Sequence, residues 1–304
     1  MTNKLSKEAF AKAAKFVREE ARPVDKAFFE LFFGTGSAEA VVEALKPFQN
    51  DDGGFGNFLE PDFRLQESSV MVTTVAFKFL IEAGVSGEEE LVRRGVDYLV
   101  KQEKNLSWLP VPKAIDEVPR APWWQYENWA HREGASWLNP NAEVVSILVF
   151  YKNLVPQELV EKSVKKVEKV LANLPEKIEM HDFLATLPLA ERAQGELRSF
   201  VFQKLADKVK STVAFDAKDW STYGLKPYWV AEKPDSPLVS ELGDALEQSL
   251  DFEIEQQGAD GAWAPNWAWG QFEEDWEKAR KEWKGWLTVK VLRSLDAFGK
   301  TSPA

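Results

Sequence analysis

The chain has 304 residues, 44% hydrophobic and 29% charged, which is ample for a sizeable buried core. Its formal net charge of −11 excludes the overall basic footprint that nucleic acid requires, and the absence of cysteine excludes disulfides, thiolate catalysis and zinc–thiolate sites. No run of about 18 apolar residues occurs, so no stable membrane insertion is expected.

Helical periodicity predicts elements over roughly 7–20, 23–33, 38–48, 66–83, 88–102, 141–153, 156–173, 178–188, 194–212, 238–256, 272–282 and 285–298. The amphipathic first element lacks the apolar centre of a signal peptide, which points to a cytoplasmic protein. Ser37 and Glu39 mark the start of the third helix, Gly84 the end of the fourth, and Pro156 the first turn of the seventh. Lys162, Lys165, Lys166 and Lys169 read as the solvated face of one helix. No period-2 strand is apparent, and Trp229-Val230 is too short to be one. The class is therefore all-α, and with no linker composition the whole chain, 1–304, reads as a single domain.

Two long irregular stretches, about 103–140 and 213–237, interrupt the helices. They hold Trp123, Trp124, Trp129, Trp137, Trp220, Tyr223, Tyr228 and Trp229, an aromatic load that argues against disorder. The chain contains 13 Trp in all.

A repeat is the most informative feature. One copy is Phe48-Gln49-Asn50-Asp51-Asp52-Gly53-Gly54-Phe55-Gly56. A second is Phe252-x3-Gln256-Gln257-Gly258-Ala259-Asp260-Gly261-Ala262-Trp263, with Gln256 in the place of Gln49. A weaker third is Tyr98-x3-Gln102 followed by Trp108. Each has a helix ending in Gln, a short turn and an aromatic residue. Glycine permits positive φ in the turn, and the Gln amide can satisfy backbone groups orphaned at helix ends. These residues read chiefly as staples between helix pairs.

The pattern resembles the QW repeats of squalene–hopene cyclases and the Gln-x-x-Asp-Gly-Gly-Phe-Gly repeats of protein prenyltransferase β subunits. The segments Leu59-Glu60-Pro61-Asp62, Ala121-Pro122-Trp123-Trp124 and Tyr223-Gly224-Leu225-Lys226-Pro227 are similar to bacterial proteins described as prenyltransferase-like or squalene-cyclase-like. The resemblance implies a single α/α toroid of about six helix pairs in an inner and an outer ring. It also implies an isoprenoid-like apolar partner in a central aromatic-lined cavity. It does not carry an activity. The prenyltransferases' Asp, Cys and His zinc set cannot be assembled from a chain with no Cys and two His, so no metal or cofactor is expected. The cyclases' Asp-x-Asp-Asp acid motif is absent. At comparable places stand Val70-Met71-Val72-Thr73-Thr74 and Asn139-Pro140-Asn141-Ala142, neither of which supplies an acid.

The nearest acidic substitute is Glu179-Met180-His181-Asp182, ahead of an apolar helix, where His beside carboxylate suits proton transfer or helix capping. Glu60 and Asp62, stiffened by Pro61, form a second carboxylate pair suited to acid/base work or to loop support. Ligand-binding candidates are Arg120, Trp123, Trp124 and Trp129 in the proline-rich loop, Tyr223, and the loop residues Trp267 and Trp269. In the loop at 119–126 one Trp is expected to pack and the other to cover a cavity. Three functions fit: a terpene-cyclase-like enzyme acting on an isoprenoid, a non-catalytic binding or scaffold protein, and a carbohydrate-active enzyme using Trp platforms with Glu60 and Asp62.

Overall fold

The computed structural model describes residues 3–302 and is all-helical among them. Thirteen α-helices follow in order: α1 Lys7–Glu20, α2 Pro23–Phe33, α3 Ala38–Leu45, α4 Val70–Glu82, α5 Glu90–Gln102, α6 Leu138–Phe150, α7 Gln157–Leu171, α8 Met180–Arg192, α9 Gly195–Thr212, α10 Pro227–Val230, α11 Val239–Leu242, α12 Asp244–Glu255 and α13 Glu273–Ala297. Extended pairing among the described residues is limited to isolated bridges, two of them at the first repeat turn. The residues group into two compact units. One joins residues 1–40 to 213–304, and the other runs from Val41 to Thr212.

In the continuous unit the core centres on α6, in which every residue from Leu138 to Leu148 is buried. The Asn139–Pro140 peptide within it is cis. Helix α6 packs most extensively on α8, and α8 in turn on α9. Asn139 is non-helical within α6 (φ −97°, ψ 117°), so the regular part of the helix starts close to the predicted 141. Helix α4 begins at Val70 with Ser69 as its cap, the Oγ accepting from the Val72 N–H at 3.1 Å. The expected start at 66 is displaced because residues before it bridge to the repeat turn. Lys166 departs from the solvated face expected of it. Its ammonium donates to the carbonyls of Asn105 (3.1 Å) and Leu106 (3.0 Å) and lies over the Trp137 ring. Asn105 and Leu106 both take left-handed φ, so the lysine holds a turn that the chain disfavours.

In the discontinuous unit α13 packs on α1 and α2. The sequence predicts two helices here, broken at about 283–284. Instead one 25-residue helix runs through. Gly285 does not end it but admits a neighbour: a Cβ there would lie 2.9 Å from the Ala21 Cβ and 3.1 Å from Asp25 Oδ2. Asp25 is itself buried and paired to Arg22 at 2.8 Å. The chain termini of this unit are tied together. The Leu5 N–H donates to the Lys300 carbonyl at 2.8 Å, and the buried Lys300 ammonium pairs with Glu247 and Asp251.

The two strong repeat copies build the same turn, one in each unit. The Gln49 amide donates to the carbonyls of Gly53 (3.0 Å) and Leu91 (2.9 Å). The Gln257 amide donates to those of Gly261 (2.9 Å) and Ala9 (2.8 Å). The repeat glutamine of the second copy is thus Gln257, not Gln256, which is exposed. Gly53 and Gly261 sit at φ +88° and +87°, and a Cβ on either would meet helix backbone, at Arg94 O (2.5 Å) and Lys12 C (2.6 Å). In each, the aromatic N–H donates to a threonine hydroxyl on the next helix: Phe55 to Thr73 (3.0 Å) and Trp263 to Thr288 (3.1 Å). In the weak third copy Asn141 Oδ1 replaces the threonine and accepts from the Trp108 N–H at 2.7 Å. Gln102 is exposed there and makes no such clamp.

Candidate functional site

The loop after the first repeat turn starts with two left-handed residues, Asn57 and Phe58. It is zipped to the proline-rich loop by Ala121 N–H to Asp62 O and Arg64 N–H to Pro119 O, both 2.8 Å. Glu60 and Asp62 are buried. Glu60 Oε1 accepts from the Asp62 N–H at 3.1 Å, so at least one of its lone pairs supports its own loop. Arg120 is likewise engaged locally. Its guanidinium pairs with Asp116 at 2.9 Å and donates to the Asp116 and Val118 carbonyls.

The adjacent tryptophans differ in burial. Trp124 is buried and Trp123 is 38% exposed. Trp124 stacks on Trp129 (4.8 Å, 13°) and meets Phe63 edge-on at 5.2 Å. Trp129 donates its indole N–H to the Trp123 carbonyl at 3.1 Å. The Arg132 guanidinium lies 3.8 Å above the Trp129 ring, with its Nε–H bonded to the Asn128 carbonyl at 3.1 Å. The result is a four-layer stack, Arg132 on Trp129 on Trp124 against Phe63. The Trp124 indole N–H is buried within it and has no hydrogen-bond partner.

Arg132 leads to the start of α8. Glu179 caps that helix, accepting from the His181 N–H at 2.7 Å, while its other oxygen contacts His181 Nδ1 at 2.8 Å. Both side chains are substantially exposed. Burial pushes the Glu179 carboxyl up, but the bonds from His181 and the helix N–H groups outweigh it, and its pKa is lowered. Asp182, three residues on, is only 3% exposed. The Asn139 N–H donates to its carboxylate, yet Oδ1 is buried with no hydrogen-bond partner. Burial, reinforced by the Glu179 charge, pushes its pKa up to about 7, while Arg132 and His181 oppose the rise. Burial also lowers the pKa of Arg132, against the attraction of Asp182 and Glu179. A buried oxygen left unpaired costs on the order of 1–3 kcal/mol, so Oδ1 and the Trp124 N–H are two costs in one region.

The structure therefore brings together Glu179, His181 and Asp182, and couples Asp182 through Arg132 to Trp129 and Trp124. Glu60 and Asp62 adjoin the far end of the same stack through Phe63. Arg132 was not anticipated, although its place three residues after Trp129 is a sequence signal for a ring-stacked cation.

The remaining candidates lie in the other unit. Tyr223, 53% exposed, meets Trp267 edge-on at 5.6 Å. The row continues to Trp283 (5.2 Å) and Trp286 (5.6 Å). It ends at Lys290, whose ammonium lies over Trp286 and Trp229 and pairs with Glu232. Trp269 is buried and packs on Trp276 at 5.8 Å, a core position. Lys226 and Glu253 form a buried ion pair of 2.5 Å in this unit. Burial raises the Glu253 pKa despite the lysine. Among the described residues, no group of three or more His, Cys, Asp or Glu is placed to hold a metal ion.

Similar solved structures cover nearly the whole chain. Three are variants of the type II terpene cyclase MstE from Scytonema. One, in complex with merosterolic acid A (product), has a TM-score of 0.56 at 11% identity, covering 95% of this chain and 96% of that one. The second, with geranylgeranyl dihydroxybenzoate (substrate), has a TM-score of 0.54 at 10% identity, covering 94% and 96%. The third, with the same substrate, has a TM-score of 0.56 at 10% identity, covering 95% and 97%. The chain has the α/α-toroid fold of a terpene cyclase. No family model matches it, and no curated protein matches it in sequence. No helix among the described residues is long and apolar enough to cross a membrane.

Proposed function

We propose that this is a terpene-cyclase-like protein that binds or transforms an isoprenoid or similar apolar small molecule, with Asp182 as its acid–base group and the chain working as one functional domain. The observation that carries the reading is Asp182 itself: a carboxyl buried in the first turn of an apolar helix, with one oxygen unpaired and a pKa of about 7. Such a group is protonated for much of the time at neutral pH and can give up that proton. The Asn139 N–H and the Arg132 charge then stabilise the carboxylate left behind. The Trp129 ring, stacked between Trp124 and the Arg132 guanidinium, holds that charge in place beside Asp182. The exposed Glu179–His181 pair holds the helix start and modulates Asp182 by its charge. Glu60 and Asp62 are the secondary candidates, at the other end of the stack. Their burial and loop bonds give less support to a carbohydrate-cleaving pair, which needs carboxylates facing an open cleft.

The fold supports an apolar ligand because the similar structures hold an isoprenoid-derived substrate or product. Incubation with linear isoprenols, isoprenyl diphosphates and squalene should give either a product or a thermal shift for at least one class, and Asp182→Asn should abolish any product. No product and no shift with every class would overturn the proposal. A shift without product favours the binding form of it, to which the missing Asp-x-Asp-Asp motif also points.

A further inference from the structure

Two buried hydrogen-bonding atoms in the Asp182 region have no partner, and they are of complementary kinds. Asp182 Oδ1 belongs to a carboxyl that can accept or donate a hydrogen bond, and Trp124 Nε1 can only donate. Both residues are more than nine-tenths buried. Between them lie Trp129 and the Arg132 guanidinium. The guanidinium is fixed by its stacking and by the Asn128 carbonyl, and no ion pair joins it to Asp182. A pure hydrocarbon seated here would leave both atoms unsatisfied. A ligand oxygen beside either one would satisfy it.

We infer that this site selects isoprenoids carrying an uncharged oxygen function, a hydroxyl, epoxide or carbonyl, which takes hydrogen bonds from Arg132 or Trp124 and is faced by Asp182. The inference rests on the function proposed above and narrows its substrate class. The oxygen is uncharged because Arg132 is the single cation of the stack, and Glu179 and Asp182 already oppose it. A diphosphate would bring further negative charge into a region with no second fixed cation in the stack. Sites built to hydrogen-bond a ligand oxygen discriminate strongly against analogues that lack it, because the buried groups are then left unpaired.

The test is a set of C15 probes of one chain length: farnesol, farnesal, farnesyl diphosphate and the hydrocarbon β-farnesene. Dissociation constants are measured by calorimetry on the full chain. The wild type should bind the alcohol and aldehyde at least tenfold more tightly than the hydrocarbon, and more tightly than the diphosphate. Trp124→Phe keeps the ring and removes the N–H, and Arg132→Met keeps an apolar stem over Trp129. At least one of the two variants should weaken farnesol and farnesal binding threefold or more beyond any loss of β-farnesene affinity. Melting temperature and near-UV circular dichroism establish that each variant is folded. Equal binding of alcohol and hydrocarbon, tightest binding of the diphosphate, or variants that weaken all probes alike would overturn the inference while leaving the isoprenoid reading intact. Failure of all four probes to bind overturns the inference, and failure of squalene as well overturns both.

Discussion

At Asp182 a single side chain couples function to stability, and the sign of the coupling can be worked out. Its folded pKa of about 7 lies above the ordinary aspartate value of 3.8, chiefly through burial. Relative to neutral pH and above, folding is therefore favoured by this group at low pH, and the advantage is lost as pH rises through about 7. The isosteric, uncharged Asp182→Asn should be more stable than the wild type at pH 8.5 by roughly 1–4 kcal/mol, with the difference shrinking toward pH 4. Thermal melts of both proteins from pH 4 to 8.5 measure this, and parallel curves would show that Asp182 titrates normally. The acidic cluster at 179–182 was legible in the sequence because carboxylates and a histidine precede an apolar helix. Which member is buried was not legible. That depends on α6, whose Asn139 N–H reaches Asp182 from 43 positions away in the sequence. The same holds for Glu60 and Asp62, whose burial follows from pairing with the 119–121 strand of loop.

At the level of elements, the repeat turns are the best-determined feature, and they yield sharp contrasts. Gln257→Ala removes an amide that joins its own turn to α1, and should cost about 1–3 kcal/mol. Gln256→Ala, one residue away and exposed, should stay within about 0.5 kcal/mol of the wild type. Chemical denaturation of the pair decides between the two registers, and a larger loss for Gln256 would refute the assignment made from the structure. Gly53→Ala and Gly261→Ala should each be more damaging, at least about 2 kcal/mol, since a Cβ would press on helix backbone at positive φ. The repeat was legible because its glycines and aromatics are spaced by the turn itself. The choice between two consecutive glutamines was not, because it turns on which amide reaches α1 across 248 positions. The continuity of α13 was hidden for a similar reason. Gly285 stands at the start of the second predicted helix, but it lies inside one continuous helix and is small because Ala21 and Asp25 lie against it.

On the scale of the whole chain, the all-helical class and nearly every helix followed from periodicity, and the resemblance of the repeats to cyclase repeats agrees with the fold found among solved structures. The pairing of the two ends of the chain within one unit did not follow, because it rests on contacts such as Leu5 with Lys300. Lys300→Met should lower stability by about 1–2 kcal/mol. Glu247 and Asp251 remain partly hydrated and can tolerate losing their partner better than deeply buried acids could. Differential scanning calorimetry on that variant measures how firmly the ends are held. The chemistry is the part the sequence could only outline, because the familiar acid motif of the fold is absent and its place as acid–base group is proposed for a residue on a different helix.

The central claim is that Asp182 is a perturbed carboxyl whose environment an isoprenoid changes. Carbon-13 NMR of the Asp side-chain carboxyls, with the Asp182 signal identified by its loss in Asp182→Asn, reads this directly. We predict a titration midpoint near 7 in the free protein and a displaced midpoint when farnesol is added. A midpoint near the ordinary aspartate value of 3.8, unmoved by any isoprenoid, would contradict the account.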